Sequence, residues 1–298
     1  MKIITTGGRG FIGSHFVELA LSQGHKILDI DFMGYCANHH LSFDDNPNYE
    51  HLNKDICDVK HLPICDVLVN FAAETHVDNS INDTTPFVHS NIIGVHNLLE
   101  VCRGKKEYEK PLFVQISTDE VYGDLEEGEF FEIDALKPSN PYSATKVAAE
   151  ALVLAYHRTY DIDYLITRSS NNYGERQYEE KLIPKSIKCL QEGKKIPIHG
   201  DGTYIRDWIY VKDNAQGILS LIENKKKNDI YNIGSGNRLQ NIEVVKQIID
   251  WFGVDFEDSV QFVSNRWGQD VRYALNTDKI NNIGWQPKYP KGIYKWFK

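Results

Sequence analysis

Short apolar runs rich in β-branched residues alternate along the chain with longer segments whose apolar positions recur at helical spacing. In order they are "KIITT", "FIGSHFVELALSQG", "KILDID", "YEHLNKDI", "DVLVNFAA", "PFVHSNIIGVHNLLEVC", "PLFVQIST", "PYSATKVAAEALVLAYHRTY" and "DYLITRS". Repeated strand–helix units of this kind predict an α/β fold, a doubly wound parallel sheet with helices on both faces. After about residue 170 the rhythm loosens. There "EEKLIPKSIKCLQEGKKIPIHGDG" and "SVQFVSNRWGQDVRYALN" carry more Gly, Pro and charge, which predicts a smaller C-terminal lobe. We place the first domain at residues 1–172 and the smaller lobe at 173–298, with about 208–236 packing back onto the first domain. The run "ENKKKND" reads as a solvated connection after a helix.

Composition narrows the classes. A chain of 298 residues with 41% hydrophobic content can build a packed core. Lys plus Arg is 33 against 42 Asp plus Glu, a net charge of −9, which argues against general binding to nucleic acid or anionic membranes. An anionic ligand therefore needs a local cluster of bases. The five cysteines form no CxxC pair, so reduced thiols are expected rather than a disulfide or metal framework. "MKIITTGG" enters a glycine turn without a signal-peptide apolar region, and no apolar run approaches the ~20 residues of a membrane span. A soluble, unprocessed, cytoplasmic protein is the expectation.

Between the first strand and first helix lies "GGRGFIG". Gly8, Gly10 and Gly13 satisfy G-x-G-x-x-G, and Gly7 adds the G-x-x-G-x-x-G form. Glycines let the backbone approach a pyrophosphate, whose charge is favoured at the start of the following helix. Asp31 closes the second strand eighteen residues after Gly13, where a carboxylate grips an adenine ribose. Phe32 and Met33 follow it, so a ribose 2′-phosphate would meet repulsion without a compensating Arg. The pattern is that of a Rossmann-type domain preferring NAD to NADP.

Two further clusters carry chemistry. In "NPYSATKVAAE" Tyr142 and Lys146 are four apart at a helix start and share one face. A phenol is a poor base at neutral pH, but an adjacent ammonium and a cationic nicotinamide both stabilise its phenolate. In "STDEVYG" a strand ends in Thr118, Asp119 and Glu120, bringing a hydroxyl and two mutually repelling carboxylates to one sheet edge.

With "TTGGRGFIGS", "FAAETHVDNSI", "ISTDEVYGD", "NPYSATKVAAE", "RSSNNYGERQYEEKLIP", "GDGTYIRDWIYVKDNA" and "YNIGSGN", the sequence resembles the extended short-chain dehydrogenase/reductase family. Within it the nucleoside-diphosphate-glucose 4,6-dehydratases, the dTDP-glucose enzymes foremost, are most similar. The resemblance covers nearly the whole chain. "TDE" is its specific part, because related epimerases and decarboxylases generally lack the adjacent Asp-Glu. It implies that Tyr142, assisted by Thr118 and Lys146, takes the sugar 4-hydroxyl proton while hydride leaves C4 for NAD. Glu120 then removes the C5 proton, Asp119 protonates the departing C6 hydroxyl, and hydride returns to C6.

Position by position, the resemblance puts Gly7, Gly10, Phe11, Ile12, Gly13, Asp31, Asp55, Ile56, Ala72, Ala73, Tyr142, Lys146 and Asn172 around NAD. It assigns substrate contacts to His76, Thr118, Asn171, Lys181, Leu182, Arg206, Asn241 and Arg266, with the two arginines on the diphosphate, and implies no metal. A homodimer pairing "PFVHSNIIGVHNLLEVC" and "SATKVAAEALVLAYH" is also implied. The chain departs from the family at "NRWGQDVR", where Trp267 and Gln269 replace residues near the nucleotide, and at His199, where a tyrosine is usual. Both departures lie on the nucleotide side, leaving dTDP-glucose and UDP-glucose as competing substrates. Two other readings stand beside the dehydratase: a nucleotide-sugar 4-epimerase, for which Asp119 and Glu120 have no task, and a catalytically silent NAD-binding protein.

Overall fold

The computed structural model describes residues 1–265, 270–289 and 292–294, and among these twelve strands form three sheets. They are β1 (Lys2–Thr6), β2 (Lys26–Ile30), β3 (Tyr49–Leu52), β4 (Val67–Asn70), β5 (Leu112–Thr118) and β6 (Tyr164–Ser169), followed by β7 (Asn171–Tyr173), β8 (Ile196–His199), β9 (Ile205–Tyr210), β10 (Asp229–Ile233), β11 (Arg238–Gln240) and β12 (Val260–Val263). The largest sheet has seven strands in the order β10-β6-β5-β4-β1-β2-β3, every neighbouring pair parallel. Strand order reverses between β1 and β4, so the loops leaving these strands splay apart and open a crevice at their carboxyl ends.

Side-chain alternation explains how one strand serves two cores. Ile3 faces Phe16, Val17 and Ala20 of the Phe11–Ser22 helix, which packs with Ile218, Leu219 and Ile222 of the Val211–Glu223 helix. Ile4 faces the opposite layer, where Leu98 and Leu99 of the Val95–Arg103 helix meet Ala149 and Val153 of the Pro141–Tyr160 helix. β4 and β6 are buried along their whole length, as strands covered on both faces must be.

The remaining strands form an antiparallel and parallel trio, β11-β9-β7, and a parallel pair, β12-β8. Ile196, Ile198 and Val260 of the pair pack with Val245 and Ile249 of the Asn241–Phe252 helix. Arg266, Trp267 and Gln269, singled out in the sequence, lie outside the described residues.

One predicted helix is interrupted. "PFVHSNIIGVHNLLEVC" is not regular: a π-helical turn, His89–Gly94, separates Thr85–Val88 from Val95–Arg103. The buried Asn91 accounts for the extra residue, because its side chain accepts from Glu74 N (2.9 Å) and donates to Glu74 O (3.0 Å) and Thr145 Oγ1 (2.9 Å). A Cβ on Gly94 would come 2.4 Å from Ile56, so glycine lets the turn lie against that side chain.

Asp29 is fully buried beneath the glycine turn and accepts from Gly8 N (2.8 Å), Thr5 Oγ1 (2.8 Å) and Tyr49 Oη (3.3 Å). Burial, reinforced by Asp31, pushes its carboxyl up to about 7 against the pull of those donors. The folded chain thus holds this proton more tightly than the unfolded chain. Asp29 contributes most to stability below the ordinary carboxylate pKa of about 3.9, and the contribution is lost as pH rises through about 7. Asp29→Asn should flatten the decline of the urea midpoint between about pH 4 and pH 7. A variant whose decline matches the wild type would show that Asp29 does not cause it.

Candidate active site

The glycine turn follows directly from β1. Gly7 has φ +68°, and a Cβ there would lie 2.7 Å from Ala72 N, while one on Gly13 would lie 2.3 Å from Gly7 O. Bare backbone is therefore obligatory, and Gly7, Gly10 and Gly13 line a cavity together with Phe11, Ile12 and Ala73. Gly8 plays a different part, packing on the Asp29 carboxylate rather than lining that cavity, so the G-x-x-G-x-x-G spacing describes the cradle. Next to it, Asp31, Asp55, Ile56, Ala72 and Ala73 line an adjoining hollow with Lys54 and His89. Asp31 is held by Arg9 N (3.1 Å) and Met33 N (2.8 Å). A cradle of bare backbone leading to a fixed carboxylate suits a pyrophosphate and a ribose diol.

Asp55 and His89 of this hollow and the neighbouring Cys57 bring donor atoms within 4.8 Å of one another. Asp55 caps a short turn by accepting from Cys57 N (2.8 Å), and Cys57 Sγ donates to His89 O (3.4 Å). Burial and the Asp55 charge push the thiol up to about 12, so the cluster holds a neutral S–H engaged in local hydrogen bonds.

At the floor of the first cavity, Thr118, Asp119, Glu120, Tyr142 and Lys146 come together with Asn171 and Asn172. Thr118 caps the 3-10 turn Asp119–Tyr122, accepting from Glu120 N (3.3 Å) and donating to Asp119 Oδ1 (3.3 Å). The Tyr142 phenol shares a hydrogen bond with Thr118, while burial and the Glu120 charge push its pKa up. Lys146 donates to Ile116 O at 2.6 Å. Burial pushes its ammonium down to about 8, and the Glu150 charge resists this, so Lys146 stays mostly protonated at neutral pH.

The two carboxylates differ in surroundings. Asp119 is 2% exposed, and its Oδ2 has no hydrogen-bond partner among the described residues. Burial, then repulsion from Glu120 and Asp207, raises it well above the ordinary range. Glu120 is half-buried and also raised by burial, but Lys181, Arg206 and a hydrogen bond from Asn140 Nδ2 (3.4 Å) pull it back. The pair is set to share one proton, with Asp119 the holder and Glu120 the readier base.

A third cavity adjoins at Glu120 and is lined by His76, Asn171, Lys181, Leu182, Arg206 and Asn241, with His199 at its rim. His76 caps the Val77–Asn82 helix, and its Nε2 is 3.8 Å from Glu180. Lys181 donates to Thr75 O at 3.1 Å. Arg206 lies over the Tyr273 ring at 4.3 Å and donates to Ile205 O and Asp270 O, both at 2.8 Å. His199 Nδ1 is 3.0 Å from Ser264 O.

Several lining residues escaped the sequence reading. Asn140 is one, and the "NPYS" start of its helix was the signal: its side chain accepts from Ser143 N in a reciprocal capping box. Asp270 and Tyr273, joined by a hydrogen bond from Tyr273 Oη to Asp270, reach the cleft from the far end of the chain without a local signal. Arg9 points away from the cradle and forms a fork on Asp44 (2.8 and 3.2 Å).

The profile of the GDP-mannose 4,6-dehydratase family matches residues 4–291. Low-salt glycan biosynthesis protein Agl12 of Haloferax volcanii is 42% identical over 97% of this chain and 94% of its own length. A dTDP-glucose 4,6-dehydratase of Haemophilus influenzae is 40% identical over 100% of this chain and 98% of its own. The crystal structure of the Bacillus anthracis dTDP-glucose 4,6-dehydratase in complex with NAD superposes with a TM-score of 0.87 at 38% identity, covering 98% of this chain and 94% of that one.

The geometry makes one spectroscopic prediction. Near pH 7 the protein should show, beside the band of the partly protonated Asp29, an infrared band of a protonated carboxylic acid that Asp119→Asn removes and Glu120→Gln leaves in place. Loss of the band in Glu120→Gln alone would reverse the proton assignment.

Proposed function

This chain belongs to the GDP-mannose 4,6-dehydratase family, in the extended short-chain dehydrogenase/reductase group, and we propose that it is an NAD-dependent 4,6-dehydratase of dTDP-glucose or UDP-glucose. The observation that carries the reading is the pairing of a buried, proton-holding Asp119 with a more readily ionised Glu120 beside the Tyr142–Lys146 face. A 4-epimerase uses the phenol and the ammonium but gives this acid pair nothing to do.

Bound NAD supplies a reversible hydride acceptor. Gly7, Gly10 and Gly13 would carry its pyrophosphate, Asp31 the ribose, and Asp55, Ile56, Ala72 and Ala73 the adenine end, with Phe11, Ile12 and Asn172 along the cradle. Tyr142, its phenolate favoured by Lys146 and Thr118, takes the proton of the sugar 4-hydroxyl as C4 is oxidised. The resulting ketone acidifies the C5 hydrogen. Glu120 removes it, and Asp119 gives its proton to the C6 hydroxyl, which leaves as water. When C6 is reduced, a proton returns to C5 from Glu120. His76, Asn171, Lys181, Leu182, Arg206 and Asn241 line the cavity next to Glu120 and would hold the nucleotide and sugar. The cations Lys181 and Arg206 supply local positive charge to an acidic chain.

The same reading makes the protein a cytoplasmic homodimer. Val88 and Ile93 on the interrupted helix and Leu154 on the Pro141–Tyr160 helix are exposed apolar side chains on the segments that would pair. Light scattering should give twice the 34.2 kDa chain mass, and a monomer at micromolar concentration would exclude the dimer.

Incubation with dTDP-glucose, UDP-glucose, CDP-glucose and GDP-mannose tests the activity by loss of the mass of water. Deuterium at C4 of the consumed sugar should appear on the product methyl group. Tyr142→Phe should abolish reduced-nicotinamide absorbance, whereas Glu120→Gln should still allow the first oxidation and slow product formation about 100-fold or more. Turnover with retention of the C6 oxygen would replace the dehydratase with the epimerase.

A further inference from the structure

Beneath the site runs a polar network that no proton transfer uses. Glu150, 1% exposed, lies one helical turn beyond Lys146. It accepts from Arg168 of β6 through Nη2 (2.6 Å) and Nε (3.1 and 3.2 Å), and also from the Ser117 hydroxyl. Arg168 Nη1 donates in turn to Tyr122 Oη (2.8 Å) and Glu132 O (3.1 Å). Tyr122 Oη donates to Asn232 of β10 (2.7 Å), and its ring stacks on Phe130 at 4.7 Å and 9°.

The placement of these contacts matters more than their number. Ser117 immediately precedes Thr118, and Tyr122 closes the 3-10 turn that carries Asp119 and Glu120. The acid–base segment is therefore tied at both ends to one ion pair, and that pair is rooted in the helix carrying Tyr142 and Lys146. Between the anchors the working side chains have little support of their own: Asp119 accepts only from Thr118 at 3.3 Å among the described residues, and Glu120 from Asn140 at 3.4 Å.

We propose that the Glu150–Arg168 pair is a positioning clamp that fixes the acid–base turn against the Tyr142–Lys146 helix, with Tyr122 as its lever on elimination. The proposal rests on the dehydratase reading. A buried ion pair is a weak source of stability compared with apolar packing, but the Arg fork has a fixed geometry that a packed side chain lacks. Elimination moves two protons at neighbouring carbons and needs both carboxyl groups placed together. A misplacement of about 1 Å costs on the order of 100-fold. Oxidation at C4 depends on Tyr142, Thr118 and Lys146, which have their own bonds to each other or to β5. The two half-reactions should therefore respond differently when the lever is cut.

Tyr122→Phe keeps the ring on Phe130 and removes the hydroxyl shared by Arg168 and Asn232. In single turnover, the rise in reduced-nicotinamide absorbance should stay within about twofold of the wild type, while water loss slows about 10- to 100-fold. Reduced cofactor then accumulates, and the infrared band of the Asp119 acid shifts even without substrate. Ser117→Ala cuts the other end and should reproduce the split. Arg168→Lys, which keeps the charge but loses the fork, should show the same split; if that variant fails to fold, Tyr122→Phe decides alone. A purely structural role would lower the melting temperature and slow both half-reactions in proportion, and that result, or an unchanged water-loss rate, overturns the clamp. Failure of the parent reading is distinct, because the wild type itself would then release no water from any nucleotide hexose.

Discussion

Holding two carboxyl groups side by side out of water at the carboxyl end of β5 is the constraint around which the molecule is arranged. A buried carboxylate costs several kcal/mol when unpaired, and a second one beside it adds repulsion. The cost is contained in two ways. One group keeps its proton, and the other lies within the fields of Lys181 and Arg206. Both cations come from the chain beyond residue 172, so the acid pair is electrically complete only because the later strands and helices close over the parallel sheet. Fold and chemistry are coupled at that contact.

The parallel sheet serves this arrangement through its topology. β1, β4, β5 and β6 run the same way and deliver the glycine cradle, the Phe71–Ala73 wall, the acid–base turn and the Asn171–Asn172 pair to one end. Sheets of this kind host many reactions, and what distinguishes this site is the content of a few loops. The glycine cradle and the Tyr-Lys face would serve an epimerase equally well. The pair after Thr118 is what separates the two.

Much of this was legible from local pattern. Strand–helix alternation gave the sheet, because strands covered on both faces read as unbroken apolar runs. Glycine spacing located the cradle, because a backbone without side chains is needed wherever a Cβ would meet Gly7 O or Ala72 N. Less legible was anything that depends on distant partners. The interrupted helix was read as regular, since nothing local reveals that Asn91 reaches Glu74 and Thr145. Arg9 stands in the glycine motif like a phosphate ligand, yet it turns to Asp44, a pairing set by where the 38–44 loop returns. Arg206, assigned to the diphosphate by resemblance, gives part of its fork to the backbone carbonyls of Ile205 and Asp270, which no local pattern reveals.

The extra residue in the His89–Gly94 turn has a meaning for how this scaffold tolerates change in length. Deleting one residue there would restore ordinary α-helical winding, rotate Asn91 by roughly 100° about the axis, and release Glu74 and Thr145 together. The loop between Gly123 and Ser139 is held differently, by Phe130 exchanging backbone hydrogen bonds with Ala274 and Asn276 and by Glu132 O accepting from Arg168, so length varies at modest entropic cost only at its exposed tip near Glu126 and Glu127. The chain thus has a stretch where its residue count is as constrained as its composition, sitting between the wall of the cofactor cleft and the helix that bears the phenol.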